Sequence, residues 1–500
     1  MDVKKSLRTI TILSLFLFVA GFSTLEDPGQ RRKPSVKKAL EEFAADQSLK
    51  NASWGFYALD TRTGKEIISH NPDLALIPAS AQKVITTLTA LSLLGDDYRY
   101  ETLLQYDGSI ENGTLKGNLY ILGSGDPTLG SPLMDDSLKL EKIFNQWLQD
   151  IKASGIQRIE GAIIADGSAF DDHMLPPKWM WEDIGNYYGA GSHALTVHEN
   201  KYTVFFNPGR REGDKATVAG TDPIVPGMTF HNDVTTGPRG SGDRVYIYGS
   251  PYSHERWLTG TVPLGEPNFR VRGSMPDPGF FLAATLKEFL TQQDIEPGAE
   301  VFTHRSAPDG LMTSARITLS RWLSPPLVDI AARTNFASVN TYAENLLKTM
   351  GKTFGEKGTF QAGSKVVRDF WEEKGIDVQG MRMHDGSGLS SFNTITVRQL
   401  TEMLHFASSD EALYNNLVKG FPVAGESGSL ARMFLNTSSA GVLSAKSGFL
   451  SNVRSYTGYT RCRDGHLIAF TIIVNNYSGT PLEMRRKMER VMDALTGMRL

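Results

Sequence analysis

Apolar residues recur at helical spacing in several stretches of the chain. The clearest stretch is residues 76–95, where apolar side chains fall three, four and seven positions apart until Gly95, a residue type that commonly ends a helix. This segment therefore predicts a helix with one buried face. The same spacing predicts further helices over residues 36–46, 138–154 and 279–293, and two more within residues 328–351.

Short apolar stretches separated by Gly, Pro and Asp predict strands. Residues 54–60 and 66–70 predict a hairpin that precedes the first buried helix. Short strands are predicted through the middle of the chain, at residues 103–106, 115–122, 162–166, 201–206, 215–218 and 244–249. Three antiparallel strands are predicted near the C-terminus, at residues 441–450, 454–459 and 467–475. These elements predict an α+β fold in which helices cover both faces of an antiparallel sheet.

The composition is that of an ordinary globular protein. With 500 residues, 40% hydrophobic and 21% charged, the chain is long enough for two or three domains. Residues 1–23 combine a basic start with a short apolar run and small residues, which predicts a secretory signal peptide; an uncleaved membrane anchor is the alternative. The formal net charge of −3 becomes more acidic once this basic segment is removed, so no nucleic-acid partner is expected.

Cysteine and histidine usage gives no sign of a metal site. Cys462 is the only cysteine, so one chain cannot form an internal disulfide, and a buried position in a strand is expected for it. The ten histidines are scattered without HExxH spacing, and neither a metal nor another cofactor is expected. Serine chemistry remains the leading candidate.

The helix predicted within residues 76–95 begins with a serine and a lysine three positions apart. Positions i and i+3 are neighbours on a helix, so Lys83 can bring its amine beside the Ser80 hydroxyl. A serine hydroxyl needs an adjacent base to act as a nucleophile, and a lysine desolvated among apolar side chains can be neutral enough to serve. A serine helix cap followed by a surface lysine is the alternative, so the interpretation depends on partner residues elsewhere.

A second pair of polar residues lies at the junction of the two helices predicted within residues 328–351. There Ser338 and Asn340 flank Val339, and an extended loop would point both side chains into one cleft. Taken alone, each is a good helix-capping residue.

A third element is the run Lys446, Ser447 and Gly448 on a predicted strand, where Gly448 would allow another backbone to approach closely. Each of the three elements is common alone. In the order S-x-x-K, S-x-N, K-S-G, and in the contexts of helix start, loop and strand, they predict a serine active site.

Two segments of the middle region carry weaker signals. Gly123 and Gly125 follow a predicted strand, but the third glycine of a dinucleotide-binding loop is missing and Pro127 is a poor helix start, so a structural turn is predicted. Residues 176–195 are rich in aromatic side chains and include Asp183. A packed loop is the simpler interpretation of that segment, and a carboxylate facing the site is the alternative.

The three motifs together resemble the active-site signature of the penicillin-binding proteins and serine β-lactamases. The chain looks like the D-alanyl-D-alanine carboxypeptidase/endopeptidase family, the low-molecular-mass class C penicillin-binding proteins. The shared segments, which cover essentially the whole mature chain, are PAS-x-QK, GSGDPTL, WEDIG, HDGSGLS, PVAGESGSL and AKSGFL. The resemblance implies a β-lactamase/transpeptidase-like fold, with a discontinuous catalytic domain of residues 24–98 and 310–500 and a large, mostly β insertion of residues 99–309.

The resemblance also implies an activity: a periplasmic serine D-Ala-D-Ala carboxypeptidase, a DD-endopeptidase, or both, acting on peptidoglycan stem peptides. The implied catalytic residues are Ser80 as nucleophile and Lys83, Ser338, Asn340 and Lys446 as its partners. β-Lactam antibiotics would act as covalent inhibitors.

The substrate is expected to contact four further residues, which are Ser447, Gly448, the backbone N–H of Phe449 and Asp183. By analogy with relatives, Asp183 would bind the free amine of a diamino acid in the stem peptide. Three departures from the family are Ser447, where threonine is common, Val339, where aspartate is frequent, and the bulky Phe449, which could narrow the cleft.

Two other functions fit the same motifs. A β-lactamase or esterase on this fold would need fast deacylation, and the sequence offers no obvious extra carboxylate to activate that water. A peptidoglycan-binding protein with a decayed site is the second alternative, and the intact motifs disfavour it. The sequence specifies neither an oligomeric state nor the balance between carboxypeptidase and endopeptidase activity.

Overall fold

The computed structural model describes residues 35–500, and the signal peptide predicted at residues 1–23 lies outside them. The α-helices in this range are α1 (Val36–Ala44), α2 (Gln82–Leu94), α3 (Leu140–Ala153), α4 (Trp181–Ile184), α5 (Pro278–Gln292), α6 (Leu327–Phe336), α7 (Asn340–Phe354), α8 (Phe360–Glu373), α9 (Val397–Ser408), α10 (Glu411–Val418) and α11 (Pro481–Gly497). Within these residues, every helix is too short or too polar to cross a membrane.

The strands of the same range are β1 (Ser53–Asp60), β2 (Glu66–His70), β3 (Glu101–Tyr106), β4 (Ser109–Glu111), β5 (Thr114–Lys116), β6 (Leu119–Leu122), β7 (Asp126–Leu129), β8 (Arg158–Ile159), β9 (Ile163–Asp166), β10 (Leu195–Val197), β11 (Lys201–Asn207), β12 (Thr217–Asp222), β13 (Thr229–Asn232), β14 (Thr235–Gly237), β15 (Arg244–Tyr248), β16 (Glu255–Pro263), β17 (Phe269–Ser274), β18 (Val301–Thr303), β19 (Ile317–Leu323), β20 (Ser444–Leu450), β21 (Val453–Arg461) and β22 (Leu467–Asn475).

One antiparallel sheet, in the order β2-β1-β22-β21-β20, joins the two ends of the chain. The predicted hairpin of residues 54–60 and 66–70 is confirmed as β1 and β2, and the predicted C-terminal strands are confirmed as β20, β21 and β22. β20 is the edge strand nearest the sequence motifs, and within residues 35–500 the backbone of its outer side bonds the segment around Pro422 alone. The rest of that edge is therefore open to a peptide ligand.

Helices cover both faces of this sheet, as predicted. Along β22, Phe470 and Ile472 join the core formed with α1 and α11, whereas Ala469 and Ile473 join the core formed with α2, α7 and α9. The sequence of a strand that is buried on both faces is a nearly continuous apolar run, without alternating polar residues. Residues 467–475 have that pattern.

α2 lies at the centre of the larger core and is buried from Gln82 to Leu91, not on one face only. The polar residues of its other face have hydrogen-bond partners in the core, in a neighbouring segment or in the helix itself. Thr86 donates to the carbonyl of Gly386 at 2.7 Å, and Thr87 donates to the carbonyl of Lys83 at 2.8 Å. Threonine can bond backward to its own helix in this way, so a helix with an amphipathic sequence tolerates full burial.

The middle of the chain forms several smaller sheets with its own apolar core. The largest has the order β18-β9-β6-β3-β19, in which β19 pairs antiparallel with β3. Because β19 runs from Ile317 to Leu323, this sheet extends beyond residue 309, where the sequence places the end of the insertion. The predicted strand 115–122 is two strands, since the backbone N–H of Asn118 donates to Asp107 between them at 2.6 Å.

Candidate active site

Ser80 lies where the chain enters α2. The sequence predicts that Ser80 begins the helix. In the structure the α-helix begins two residues later, at Gln82, and Ser80 is the middle residue of the 3-10 turn Ala79–Ala81. Ala79 is held at a positive φ of 48°, a conformation uncommon for residues other than glycine and asparagine. Ala79 and Ala81 are fully buried while Ser80 is partly exposed, so this turn presents the serine hydroxyl at the mouth of a buried helix.

The Lys83 side chain is completely buried and reaches Ser80. Its Nζ lies 3.0 Å from Ser80 Oγ, 2.6 Å from Asn340 Oδ1 and 2.8 Å from the carbonyl oxygen of Ser387. Burial lowers the pKa of Lys83 to about 7, although the carboxylates of Glu344 and Asp385 oppose that effect. A neutral amine donates two hydrogen bonds and accepts one, so Asn340 and Ser387 can accept while the Ser80 hydroxyl donates.

Asn340 begins α7 and connects Lys83 to the inserted region. Its Oδ1 accepts from Lys83, and its Nδ2 donates to the carbonyl oxygen of Tyr188 at 2.7 Å. Because both ends of this amide already have protein partners, its first role is to hold Lys83 in place. Tyr188 also hydrogen-bonds Asp183 through its side chain, so Asp183 lies near the site and joins it through Tyr188 and Asn340.

Asp183 is 93% buried on the short helix α4. Desolvation raises the pKa of its carboxyl to about 6, and the neighbouring Glu182 adds to the rise. Asp183 is therefore charged at neutral pH and loses its charge in mild acid.

Ser338 occupies a different conformation from the one expected. Instead of an extended loop, the junction is a tight turn just after α6, in which Ser338 has a φ of 56°. Left-handed serine is uncommon, and such strain is found mainly where the surrounding structure holds it for a function. The turn places Ser338 Oγ 3.0 Å from Lys446 Nζ.

Lys446 points from β20 toward Ser338 and is 98% buried. Its Nζ also donates to the carbonyl oxygen of Ser447 at 2.7 Å. Burial and the nearby charge of Lys83 both hold the pKa of Lys446 well below its usual range. Two buried amines thus lie on opposite sides of the cleft, one bonded to each serine.

Gly448 is the point at which β20 passes the serine turn. A methyl group built on Gly448 would lie 2.7 Å from the carbonyl oxygen of Pro78 and 2.9 Å from the backbone nitrogen of Ser80, so only glycine fits. The close backbone approach predicted from the sequence is confirmed.

The outer edge of β20 presents Ser447 and Phe449. The N–H of Ala445 points outward, since it donates to the carbonyl oxygen of Pro422 at 3.1 Å. Alternate N–H groups of a strand point the same way, so the N–H of Phe449 also points to the open edge. The Phe449 ring is half exposed and packs on Arg454, and Ser447 Oγ donates to Ser429 Oγ at 2.8 Å.

Sequence reasoning missed the acidic support behind Lys83. Glu344 lies one helical turn after Asn340 on α7, is fully buried, and accepts from the backbone N–H groups of Gly386 and Ser387 at 2.8 and 2.9 Å. Asp385 accepts from the side chains of Trp179 and Asn393, each at 2.8 Å. The segment HDGSGLS was singled out by resemblance, but a carboxylate in the middle of a helix gave no separate signal.

Across residues 35–500, no group of three or more His, Cys, Asp or Glu side chains is arranged to hold a metal ion. The cleft contains a serine hydroxyl, two desolvated amines and backbone N–H groups. Such a set can form and break an ester on the serine.

Comparisons with known proteins identify relatives along nearly the whole chain. A model of the D-Ala-D-Ala carboxypeptidase 3 (S13) family matches residues 36–496. The D-alanyl-D-alanine carboxypeptidase of Actinomadura sp. (strain R39) is 28% identical over 95% of this chain and 87% of its own length. The D-alanyl-D-alanine carboxypeptidase DacB of Haemophilus influenzae is 25% identical over 97% of this chain and 96% of its own length.

Among solved structures, penicillin-binding protein 4 (dacB) of Haemophilus influenzae matches with a TM-score of 0.78 and 23% identity, over 91% of this chain and 98% of that one. The same protein in complex with a β-lactam matches with a TM-score of 0.73. These matches confirm the transpeptidase/β-lactamase-like fold expected from the motifs.

Proposed function

Since the chain belongs to the D-Ala-D-Ala carboxypeptidase 3 (S13) family, we propose that it removes the terminal D-alanine of peptidoglycan stem peptides through an acyl-enzyme on Ser80. The enzyme class follows from the family: it is a penicillin-binding serine D-Ala-D-Ala carboxypeptidase. One observation carries the assignment of the nucleophile, namely the 3.0 Å contact between Ser80 Oγ and the fully buried amine of Lys83.

Acylation begins with proton transfer from Ser80 to Lys83. The Ser80 oxygen then attacks the carbonyl carbon between the two D-alanines. A lysine with a pKa of about 7 is neutral in a large fraction of molecules at neutral pH and can accept that proton. Asn340 and the Ser387 carbonyl hold the amine in line with the hydroxyl.

The oxyanion that forms is bound by two backbone N–H groups, those of Ser80 and Phe449. Two features support this role: Gly448 brings β20 against the Ser80 turn, and the N–H of Phe449 points to the open edge. One such donor is worth about 3 kcal/mol of transition-state stabilisation.

Breaking the C–N bond requires a proton for the leaving amine. In this proposal Ser338 passes to the leaving amine the proton that Lys83 took from Ser80, while its hydrogen bond to Lys446 orients the hydroxyl. The hydrogen bond between Lys446 and Ser338 also lowers the cost of negative charge on that hydroxyl. Water then hydrolyses the ester and regenerates Ser80.

The stem peptide is proposed to lie along the outer edge of β20 as an added strand, with Ser447 and Asn340 near its backbone. Asp183 would bind the free amine of the diamino acid, which its burial and its link to Asn340 through Tyr188 support. A peptide cross-link presents the same D-configured carbonyl, so the same site would serve a DD-endopeptidase. β-Lactams would acylate Ser80, and the signal peptide predicted at residues 1–23 would direct the protein to the periplasm.

Mass spectrometry of muropeptides tests this function. The purified protein and a Ser80→Ala control are incubated with cross-linked and uncross-linked muropeptides. Loss of D-alanine from pentapeptide stems, absent in the control, is the expected result, and conversion of dimers to monomers would add endopeptidase activity. A folded protein that changes neither substrate would overturn the proposal, and rapid release of hydrolysed penicillin would favour a β-lactamase.

A further inference from the structure

The inserted region presents a row of aromatic rings on one side of a sheet. β15 pairs with β16 so that Tyr248 lies opposite Trp257, and β13 pairs with β16 so that His231 lies opposite Trp257. Directly paired residues point to the same face of a sheet, and Tyr246, two residues before Tyr248, points there too. Trp181 of α4 stacks on Tyr248. We call these five residues the aromatic face.

The opposite face of this sheet is packed, whereas the aromatic face is open. Val245, Ile247 and Leu258 belong to the apolar core of the inserted region. Trp181 and Trp257 are 56% and 43% exposed. The solvent face of such a sheet usually carries polar residues, so a group of exposed rings there indicates a ligand and not a need of the fold.

The rings of the aromatic face lie nearly parallel to their neighbours. The planes of Trp181 and Tyr248 differ by 30°, those of Tyr246 and Tyr248 by 26°, and those of Trp257 and His231 by 14°. The His231 and Trp257 rings stack 4.9 Å apart and cover each other on that side, so a ligand would meet the outer face of such a stack. The face of an aromatic ring is electron-rich and attracts the partly positive C–H hydrogens on the flat side of a sugar ring.

Hydrogen-bonding groups surround the rings. Arg244, Glu255 and Thr259 are exposed at alternate positions of β15 and β16, which places them on the same face. They can bind the hydroxyl and acetamido groups that a sugar presents at its edges.

The aromatic face continues into the active site. Trp181 precedes Asp183 by two residues on α4, about 3 Å of helix rise. The Tyr246 hydroxyl is close enough to Tyr188 to raise the pKa of its phenol, and the Tyr188 carbonyl is bonded to Asn340. A stem peptide held in the cleft would therefore place the sugar chain to which it is attached near these rings.

We propose that the aromatic face binds the glycan strand of peptidoglycan, a polymer of N-acetylated amino sugars. This inference rests on the proposed function, which makes the glycan part of the substrate. The inserted region would then hold the polymer while the catalytic cleft hydrolyses the attached stem peptide.

Binding of glycan strands stripped of their peptides tests the inference on the full-length mature protein. Wild type, Trp257→Ala and Tyr246→Ala are compared with Phe354→Ala, in which an equally exposed ring is removed from the end of α7. Each face variant should bind the glycan about fivefold to tenfold more weakly than wild type, since one ring contact contributes on that scale. Phe354→Ala should bind as wild type does. The ratio of activity on whole sacculi to activity on a soluble pentapeptide should fall in the face variants and not in Phe354→Ala.

Two results would overturn the inference: no binding of peptide-free glycan by wild type, or equal binding by wild type and both face variants. Either result would leave the proposed function intact as long as the soluble pentapeptide is still hydrolysed. Conversely, glycan binding without pentapeptide hydrolysis would overturn the proposed function and support the aromatic face alone. If Trp257→Ala does not fold, Trp257→Gln keeps much of the side-chain length without the ring and takes its place.

Discussion

Glu344 accepts a hydrogen bond from the backbone N–H of Ser387 at 2.9 Å, and the carbonyl oxygen of that same residue accepts one from Lys83 Nζ at 2.8 Å. A buried carboxylate thus holds the backbone of the residue whose carbonyl oxygen accepts from the proposed general base. Its other oxygen accepts from Gly386, so the carboxylate clamps two successive N–H groups. Burial and the nearby Asp385 raise the pKa of Glu344, whereas the hydrogen bonds from Ser387 and Gly386 and the charge of Lys83 favour its charged form.

Glu344→Gln is expected to lower kcat for pentapeptide hydrolysis about 100-fold, the scale of a small misplacement of a catalytic group. The amide has one acceptor instead of two, so one of the two clamped N–H groups loses its partner. The pKa of Lys83 should also fall, because the Glu344 charge favours the protonated amine. The acid limb of the pH profile of kcat/KM should therefore move to lower pH.

The control for this variant is Glu411→Gln, which removes an exposed carboxylate at the start of α10. It should keep both kcat and the pH profile. Unchanged kcat and an unmoved acid limb in Glu344→Gln would show that the carboxylate does not position Lys83.

The rate of acylation by a fluorescent penicillin should rise with pH through about 7 and then level off. The neutral form of Lys83 is the base, and it becomes the major form above its pKa of about 7. Rates are measured by gel fluorescence after rapid mixing at pH values on both sides of that pKa. Lys83→Arg stays protonated throughout, so it should acylate at least 100-fold more slowly and show no such limb. A wild-type rate that does not change with pH would contradict the assignment.

Gly448→Ala is expected to abolish most acylation while leaving the fold intact. Its added methyl would meet the backbone of Pro78 and Ser80, so β20 must move away from the serine turn and the two oxyanion donors separate. The loss of one donor corresponds to a rate lower by about 100-fold. Acylation and the melting temperature are measured together.

Gly375→Ala is the contrasting variant. Its methyl meets nothing within 4 Å, but the residue has a φ of +81°. It should lose about 1 kcal/mol of stability through that strain and keep normal acylation. Equal acylation by both variants would contradict the close approach at Gly448.

Periodicity predicted the elements that carry the motifs because their patterns are local. The helix after Ser80 and the strand carrying Lys446 are both buried runs bounded by turn residues, and the spacing of S-x-x-K itself brings serine and lysine together. Family resemblance then connected three segments that lie far apart in the chain.

What the sequence could not predict depends on long-range contacts. β19 pairs with β3, which lies at the other end of the insertion in the chain, and the sequence pattern of residues 317–323 does not indicate that partner. Ser338 adopts a left-handed conformation that glycine and asparagine favour, so its residue type does not predict that conformation. Glu344 looked like an ordinary polar position of α7, because only the folded chain brings the N–H groups of Gly386 and Ser387 to it.

Asp183→Asn is expected to raise KM for a stem peptide with a free diamino-acid amine about tenfold, and to leave KM for the N-acetyl-lysine counterpart nearly unchanged. The carboxylate is buried, so it attracts an amine strongly and discriminates against the acetylated one. Preference for the free amine should also weaken in wild type below about pH 6, where Asp183 gains a proton. Glu182→Gln removes the exposed carboxylate next to it and should retain the preference. If Asp183→Asn turned over both substrates as wild type does, recognition of the amine would have to lie elsewhere in the cleft.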